Sequence, residues 1–576
     1  MRCPSSLFLF IFALLLLIPG TVTLPLMDRD EPRFAQATLE MMETDQWVIP
    51  YFNGEYRFDK PPLTYWWMRI HYLILGKGEL AARLHSILAA GLTALVIARI
   101  GSFLYSPRAG ILAGIGFLTC LQTLVHGRLC VADMAMILGV TATMDAMVRY
   151  LFRDQEWKGL EKWGHFGYLS LALAFGFLAK GPIAWIIPCL SLALFVWPFG
   201  RGEIESRWRT LGRIPWLSSF AIATGICLLW AVPALIQTKG EFFNVGIGTH
   251  VIERGLQPFN GRKMIPGVYY LATIIPSLLP WSAFTWHALF RGGLPESDPK
   301  RSLLLAWYLA PFLVFSFYST QLPHYVMPGF AAFFLLLFRG GRLPTLENQI
   351  EKRWFLATAL GTLVVTAGGM ILLAFAQQNM EGEMRNILPV LFLGLGAVCF
   401  VGGVVPFLIL LTNRPAAASQ SHAIFRQGLP LIAVYLIGTA WITSLLAEKL
   451  REVNLVSRVE NHLIQSGIPK RLVSHAFGEP SLVFYLADKT RFQFGSGVDT
   501  LIKENEGLDK ETKLLVRSKT WSVFEGFLQT PHLPKLDESG KILNRFDGSN
   551  YRIDTVHGYN PARTTWEEIL LISPGP

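Results

Sequence analysis

A dense group of charged residues, Met27-Asp28-Arg29-Asp30-Glu31-Pro32-Arg33, follows the first apolar stretch of the sequence. Two adjacent carboxylates at such a point can act as a general base or hold a divalent cation. Asp30 stands directly before Glu31-Pro32 and is also a natural helix N-cap, which on local grounds is an equally good interpretation.

Further charged and polar residues fall at the predicted outer ends of apolar segments. They are Lys60 in RFDKPP, Arg128 and Asp133 in HGRLCVADM, Lys180 in AKGP, His250 and Arg254 in GTHVIER, Arg262 and Lys263, and Gln321, His324 and Tyr325 in STQLPHY. Each alone is typical of a snorkelling or capping residue. Together they predict an outward-facing cavity rich in cations. Such a cavity suits a lipid phosphate, because Arg binds phosphate bidentately and Lys acts as a point charge.

The elements that must position these residues are membrane helices. Of 576 residues, 52% are hydrophobic and only 16% charged, and the mean hydropathy of +0.39 argues against a soluble multidomain protein. About thirteen apolar segments could cross the ~30 Å hydrocarbon layer, some of them only with tilt or partner helices. They lie near 7–25, 80–101, 109–125, 131–148, 166–179, 183–198, 215–236, 266–290, 302–318, 325–338, 354–376, 387–411 and 429–447.

The distribution of charge predicts the orientation. With the N-terminus in the cytoplasm, the inner loops carry 20 basic and 9 acidic residues, whereas the outer loops carry 14 of each. Positive charge collects on the cytoplasmic side of membrane proteins, and an odd number of crossings then places the C-terminus outside. The first segment also resembles a secretory signal peptide. We favour a retained anchor, since no good small-x-small cleavage site follows it.

Two domains are predicted, a membrane domain over 1–447 and a soluble extracytoplasmic domain over 448–576. The second range carries equal numbers of basic and acidic residues, so the whole net charge of +10 lies in the first. Within the first, 26–79 forms an external loop with two amphipathic helices at the membrane interface, one from Glu31 to Thr44 and one over LTYWWMRIHYLIL.

The C-terminal domain reads as a small α/β unit. A helix is predicted over 453–466, and strands are predicted over 481–487, 491–494, 513–518 and 568–573. This part of the sequence contains no phosphate loop and no dinucleotide fingerprint, so we assign it no chemistry.

Several classes of function do not fit the composition. The six cysteines form no CxxC pair, which argues against a disulfide scaffold or a zinc site. The positive charge follows the membrane loops and forms no basic run or recognition helix, so we expect no nucleic-acid partner.

DEPRFAQATLEMM, followed by DQWVIPYFNGEYRFDKPPLTYWW, resembles the first-loop signature of GT-C glycosyltransferases that use polyprenyl-phosphate sugars. The resemblance is to bacterial 4-amino-4-deoxy-L-arabinose lipid A transferases and their protein O-mannosyltransferase relatives. It continues through AARLHSILAA, VADM, LAKGPIAWIIP, HVIERGLQPF and LPHYVMP, and spans most of residues 26–330. The pattern is specific for the superfamily and much less so for the sugar.

The resemblance implies roles for particular positions. Asp30 matches the acidic residue in the catalytic role, with Glu31 beside it, and Asp133 matches a second acidic position. Lys60, Arg254 and Tyr325 match positions that bind the donor phosphate. The remaining charged residues are supporting candidates, namely Arg33, Arg128, Lys180, His250, Arg262, Lys263 and Gln321. Gln321 departs from the pattern, because the arabinose transferases usually have Lys there.

The expected function is therefore inverting transfer of a sugar, with aminoarabinose as a candidate, from a polyprenyl phosphate to lipid A or a related lipid or glycan. The expected location is the bacterial inner membrane. No cofactor is required by this chemistry, although Asp28, Asp30, Glu31 and Asp133 could hold a divalent cation. One alternative is hexose transfer to a protein or another glycan. A transporter or lipid flippase is an alternative of a different class, but ionisable residues near the bilayer midplane are few.

Overall fold

The computed structural model describes residues 3–27, 30–153, 157–197, 199, 204–253, 268–291, 298–377, 385, 387–412, 421–475, 477–495, 511–518, 551–561 and 563–574. Helices dominate up to residue 466. The first eleven are α1 Cys3–Leu17, α2 Asp30–Glu43, α3 Leu63–Leu75, α4 Glu79–Leu104, α5 Pro107–Thr119, α6 Leu121–His126, α7 Asp133–Phe152, α8 Gly159–Lys180, α9 Ile183–Val196, α10 Ile204–Leu211 and α11 Trp216–Gln237.

The remaining helices lie between residues 241 and 486. They are α12 Glu241–Phe243, α13 Val268–Ser277, α14 Thr285–Phe290, α15 Pro299–Phe317, α16 Phe330–Leu337, α17 Gln349–Phe355, α18 Gly361–Ala376, α19 Leu388–Cys399, α20 Val405–Thr412, α21 Ser421–Val453, α22 Leu455–Ser466 and α23 Pro480–Leu486. Short 3₁₀ segments span Trp281–Phe284 and Pro323–Gly329, and π-helical turns span Asn244–Glu253, Leu356–Leu360 and Phe400–Val404.

The apolar segments are helical in the structure, as their composition predicts. By length and composition alone, six helices in the described residues could cross a membrane. They are Glu79–Leu104, Asp133–Phe152, Trp216–Gln237, Gln349–Phe375, Leu388–Ile409 and Ala433–Val453.

The predicted segment 109–125 divides at Cys120 into α5 and α6, and two further predicted segments are interrupted at prolines. The segment 266–290 divides into α13, a 3₁₀ turn and α14, and the segment 325–338 begins as a 3₁₀ turn before α16. Prolines lie at both breaks, Pro276 and Pro280 in the first and Pro323 and Pro328 in the second. Proline removes a backbone donor and clashes with the preceding turn, so a continuous α-helix is disfavoured there.

The antiparallel pair α7 and α8 packs at very short range. A Cβ built on Gly139 would lie 2.5 Å from the Cα of Gly176, so only glycine permits this approach. Asp133 begins α7 and Lys180 ends α8. The close crossing therefore brings these two residues to the same level of the molecule.

The external loop 26–79 contains the two predicted helices, α2 and α3, joined by a short hairpin. Its strands are β1 Tyr51–Phe52 and β2 Glu55–Tyr56. Asn53 and Gly54 turn the chain with φ of 54° and 80°, as Asn-Gly does in two-residue hairpins. The Glu40 carboxylate of α2 accepts hydrogen bonds from both turn N–H groups and fixes the hairpin to the helix.

The C-terminal region forms a five-stranded mixed sheet with strand order β4-β3-β5-β7-β6. The strands are β3 Arg471–His475, β4 Arg491–Gly495, β5 Thr512–Arg517, β6 Tyr551–Asn560 and β7 Thr565–Pro574. β3 runs parallel to β4 and β5, and the other pairs are antiparallel. The sheet contains the strands predicted near 491–494, 513–518 and 568–573 together with two that were not predicted, β3 and β6.

The strand predicted over 481–487 is wrong, because these residues form helix α23 and the turn after it. Pro480 occupies the first turn, where its missing N–H costs nothing. Leu482, Val483 and Leu486 pack into the core of the C-terminal domain, while Phe484 packs with the external loop. The helix is therefore buried on two sides. The sequence of such a short apolar segment shows neither the helical nor the strand period, so it does not distinguish the two structures.

Candidate active site

Glu31 is buried, with 2% of its surface exposed, and its carboxylate is fully occupied. It forms a two-pronged ion pair with Arg83, in which Nε and Nη2 each lie 2.9 Å from a carboxylate oxygen. The backbone N–H groups of Met27 and Cys130 also donate to it, at 2.8 and 2.7 Å. Glu31 therefore joins α2, α4 and the loop before α7.

Arg83 extends this connection to the turn that follows α1. Its guanidinium is fully buried and also donates to the backbone carbonyls of Thr21, Leu24 and Pro25. The planar guanidinium group has enough N–H donors to bind the carboxylate and the three backbone carbonyls at the same time. Arg83 was not among the predicted site residues. A charged side chain inside an apolar segment was the signal that could have found it.

Asp30, the first residue of α2, is exposed, unlike its neighbour. Its negative charge acts on Arg57, a buried residue of the same external loop. Burial alone would lower the pKa of Arg57, but Tyr65, Asp59 and Asp30 reverse the effect and hold it above its usual value. The two adjacent carboxylates thus differ in kind, since one is locked in the interior and the other is accessible.

Arg57 also connects Asp30 to Lys60. Its Nη2 lies 2.9 Å from Asp59 Oδ2, and its Nε donates to the Tyr65 hydroxyl at 3.1 Å. Lys60 is half-buried, and its Nζ donates to the Asp59 carbonyl at 2.9 Å. Asp30 and Lys60 therefore both lie near the ion pair of Arg57 and Asp59.

A second cluster forms around Asp133. Its Oδ1 lies 2.5 Å from Lys180 Nζ and 3.6 Å from His324 Nε2. Lys180 Nζ also lies 5.3 Å from the ring centre of Tyr325, within range of a cation–π contact. The structure thus brings together four predicted residues, Asp133, Lys180, His324 and Tyr325, from α7, α8 and the 3₁₀ turn before α16.

Three polar side chains that were not predicted, those of Gln122, His126 and Ser277, extend the second cluster. The rings of His126 and His324 lie 4.4 Å apart. Gln122 Nε2 is 2.9 Å from His126 Nδ1, and Gln122 Oε1 accepts from Ser277. Burial lowers the pKa of His126, so its ring is neutral at physiological pH. Single histidines and glutamines carry little signal in a sequence, and only the fold assembles them into a row.

Some predicted residues lie elsewhere. Arg128 donates to the backbone carbonyls of Leu124 and Leu16 and so holds α6 against α1. Gln321 donates to the carbonyls of Phe315 and Ser316 at the end of α15. Arg33 is half-buried in α2.

Other predicted residues lie outside the described part of the chain. These are Asp28, Arg254, Arg262, Lys263 and the side chain of His250. The π-helical turn that leads to Arg254 does approach the first network, because a Cβ on Gly246 would lie 3.2 Å from the Phe58 carbonyl. Among the described residues, no three His, Cys, Asp or Glu side chains are grouped so as to hold a metal ion.

The C-terminal domain contacts the same region through α23. The Tyr485 hydroxyl accepts from the Leu26 N–H at 3.0 Å and donates to Glu79 at 3.2 Å. Phe484 is buried in a cluster that includes Phe34 of α2 and Tyr65 of α3. The entry to the helix that begins with Asp30 is therefore held by the C-terminal domain as well as by Arg83.

Comparison with known proteins agrees with this architecture. Residues 59–230 match the family model described as dolichyl-phosphate-mannose-protein mannosyltransferase. The undecaprenyl phosphate-alpha-4-amino-4-deoxy-L-arabinose arabinosyl transferase of Edwardsiella ictaluri is 30% identical over 382 residues, which are 65% of each chain. The enzyme of the same name from Yersinia pestis is 28% identical over 455 residues, which cover 75% of this chain and 76% of that one.

The fold also matches solved structures. The crystal structure of ArnT from Cupriavidus metallidurans bound to undecaprenyl phosphate has a TM-score of 0.72 at 18% identity, and covers 99% of this chain and 98% of that one. Its apo form has a TM-score of 0.69 at 17% identity. The chain is therefore similar in sequence to transferases that use polyprenyl-phosphate sugars, and it shares the fold of ArnT.

Proposed function

We propose that this protein transfers a sugar from a polyprenyl phosphate to an extracytoplasmic acceptor in a single inverting displacement. The observation that supports it most directly is the exposed Asp30 beside a network that contains Arg57 and Lys60. The relatives are arabinosyl transferases named for a 4-amino-4-deoxy-L-arabinose donor. That sugar is the favoured donor here, with lipid A as the favoured acceptor.

Lys60 and Arg254 are proposed to bind the donor phosphate. As the anomeric C–O bond breaks, negative charge grows on that phosphate. Cations held near it stabilise this charge more in the transition state than in the ground state, which is the condition for a faster reaction. Removing one such donor typically costs about a hundred-fold in rate or more.

Asp30 is proposed to act on the acceptor side. A hydroxyl acceptor must lose a proton, and a general base contributes roughly 10² to 10⁴-fold. A lipid A phosphate is already ionised, so Asp30 would then orient it or stabilise positive charge developing on the sugar. Glu31 is proposed to act by positioning Asp30, because its own oxygens are already bound by Arg83 and two N–H groups.

The cluster of Asp133, Lys180 and Tyr325 is proposed as the second part of the site. Asp133 holds the Lys180 ammonium at 2.5 Å, which fixes the position of that cation near the Tyr325 ring. A fixed ammonium group next to an aromatic ring can bind an oxygen of a phosphate. The neighbouring carboxylate could instead bind the amino group of the sugar.

Hexose transfer to a protein or another glycan is the second candidate. The matching family model is named for mannose transfer to protein, and Gln321 stands where the arabinose transferases usually have Lys. The side chain of Gln321 is engaged with the end of α15. Because Gln321 is neutral, this protein has one cation fewer at this position than the arabinose transferases. That difference supports a donor or acceptor other than theirs.

The topology is proposed to comprise about thirteen crossings of the bacterial inner membrane. Residues 1–447 then form the membrane domain, with a cytoplasmic N-terminus and an interfacial loop over 26–79, and residues 448–576 form the periplasmic domain. The exposed apolar side chains of α11 and α18 support a lipid-facing surface, among them Leu217, Leu229, Val365 and Leu372.

No metal cofactor is proposed. The leaving group is a phosphate that the protein's own cations can stabilise, so the chemistry does not call for one. Transfer by the purified protein should survive exhaustive chelation. Loss of activity on chelation, restored by added Mg²⁺ or Mn²⁺, would replace this proposal with a carboxylate-bound cation.

The deciding experiment is a defined reaction. Purified protein is incubated with polyprenyl-phosphate aminoarabinose or a polyprenyl-phosphate hexose, each with lipid A or an acceptor peptide, and the products are read by mass spectrometry. We expect the aminoarabinose mass increment on lipid A. Hexose on the peptide would favour the second candidate, and hydrolysis or no product with all pairs would contradict both.

A further inference from the structure

A charged cavity lies at the opposite end of α4 and α7 from Glu79 and Asp133. It has a volume of about 550 Å³ and is lined by Arg99 of α4, Arg149 of α7 and Ser6 of α1. Its walls also include Leu95 and Val96. Neither the sugar-transfer mechanism nor the resemblance to known transferases uses this cavity.

The cavity has an excess of positive charge. Arg99 Nε and Arg149 Nε lie 3.2 and 3.1 Å from opposite oxygens of Asp145, which is fully buried. Among the residues that the structure describes here, one carboxylate therefore serves two guanidinium groups, which leaves an excess of one positive charge. Arg99 keeps 45% of its side chain exposed, so this charge is available at the mouth of the cavity.

The cavity lies at the opposite membrane boundary from the active site. Arg99 follows Glu79 by 20 residues of the same helix, or ~30 Å at 1.5 Å per residue. Arg149 follows Asp133 by 16 residues, or ~24 Å. These lengths approximate the thickness of the hydrocarbon layer, ~30 Å. The basic cavity is therefore at headgroup depth on the side proposed to be cytoplasmic.

The surface next to the cavity is apolar and open. Leu7, Ile11 and Leu15 form a stripe along α1 with 57%, 45% and 57% of their surface exposed. Ser6 at the start of this stripe lines the cavity itself. A ligand with a charged head in the cavity would have its apolar tail along α1, in contact with the surrounding lipid.

We propose that this cavity binds the phosphate of an anionic glycerophospholipid. Two guanidinium groups suit a phosphate, since Arg donates pairs of hydrogen bonds to its oxygens. Basic pockets between helices on the cytoplasmic side are typical sites for anionic headgroups. A lipid with a net negative charge is favoured over a zwitterionic one, because the headgroup of the latter brings its own cation. The proposal depends on the orientation of the protein and not on the identity of the transferred sugar.

The test uses the full-length protein in detergent with phosphatidylglycerol, phosphatidylcholine, a polyprenyl phosphate or inorganic phosphate, and native mass spectrometry to count bound molecules. Arg99→Gln is the informative variant, because Arg149 still pairs with the buried Asp145 and the fold is preserved. Arg108→Gln is the matched control, since Arg108 is an exposed arginine at the same end of the neighbouring helix α5.

We expect phosphatidylglycerol to bind the unmodified protein and Arg108→Gln equally, and Arg99→Gln about ten-fold more weakly. Sugar transfer by Arg99→Gln should be unchanged when it is measured in detergent. Equal lipid binding by the two variants would overturn the proposal, as would equal binding of phosphatidylcholine or binding of only polyprenyl phosphate or inorganic phosphate. If the unmodified protein, Arg99→Gln and Arg108→Gln all failed to transfer sugar, the result would contradict the proposed function and not the proposal of a lipid site.

Discussion

At the scale of single residues, adjacent carboxylates with opposite surroundings are the clearest feature. Asp30 is exposed and Glu31 is buried against Arg83. The sequence places both in DEPR and offers no means of telling them apart. The difference depends on Arg83, which is 52 residues away, and on the Cys130 N–H, which is 99 residues away.

Substitution of the two carboxylates should separate catalysis from stability. Asp30→Asn should abolish transfer with little change in the thermal unfolding temperature, because the side chain is exposed. Glu31→Gln leaves the buried Arg83 without its counter-ion, a defect that typically costs about 3–5 kcal/mol. Unfolding in detergent and transfer per folded molecule measure the two effects. A fully active Asp30→Asn protein, or an Asp30→Asn protein that unfolds as early as Glu31→Gln, would contradict these roles.

At the scale of elements, the contact between Gly139 of α7 and Gly176 of α8 sets the distance between these helices. It therefore also sets the position of Asp133 relative to Lys180. Gly139→Ala should push α7 and α8 apart, because the added Cβ would lie 2.5 Å from Gly176 Cα. Overpacking of this kind typically costs about 1–3 kcal/mol. We expect lower stability and lower transfer activity together.

Gly167→Ala in α8 is the matched control for Gly139→Ala, because nothing lies within 4 Å of the added Cβ. Both changes raise helix propensity by a similar amount. Equal stability of the two variants would mean that the α7–α8 contact does not set the spacing.

Helix α23 leads to a second prediction at this scale. Tyr485→Phe removes the hydroxyl that joins Leu26 and Glu79 and keeps the packing of the ring. Each lost hydrogen bond is worth about 1 kcal/mol. We expect kcat to fall several-fold while the donor KM changes little, since the start of α2 is positioned less firmly. Tyr559→Phe in the C-terminal sheet is the control, and an equal effect of both changes would contradict a role for α23.

The elements themselves were largely predictable, and their breaks and partners were not. Apolar composition over 80–101 or 215–236 predicts a helix because the hydrocarbon layer requires internal hydrogen bonding. The same signal cannot separate α13 from α14, because the break depends on Pro276 and Pro280. It also could not assign 481–487 correctly, since burial of Leu482 and Phe484 on opposite sides comes from two different domains.

At the scale of the whole molecule, the candidate site is assembled from distant parts of the chain. Its two clusters contain residues from the external loop, α7, α8 and the turn before α16, and α23 of the C-terminal domain packs behind the first. Sequence reasoning identified many of these residues because charges at the ends of apolar segments are conspicuous. The row of His126, Gln122 and Ser277 could not be found in this way, because it exists only after the helices have packed.

The proposed orientation can be measured with cysteine labels. Lys470→Cys lies on the C-terminal domain, and Lys158→Cys lies in the short connection between α7 and α8. An impermeant maleimide applied to cells with a permeabilised outer membrane should label the first position and not the second. Disruption of the inner membrane should expose Lys158→Cys. The reverse pattern would invert the topology and remove the site from the periplasmic face.

Arg83 and Arg128 have a further consequence for how the protein matures. Both guanidinium groups are buried and rely on backbone carbonyls in or just after the first helix, those of Leu16, Thr21, Leu24 and Pro25. A peptidase that trimmed this stretch would leave Arg83 with Glu31 but without most of its backbone acceptors, and Arg128 without the Leu16 carbonyl, which is costly for buried cations. We therefore expect the intact mass of the purified protein to include the first helix, and a mature N-terminus near residue 25 would contradict this. On this prediction, the segment that directs the polypeptide to the membrane also supplies hydrogen-bond acceptors to the folded interior.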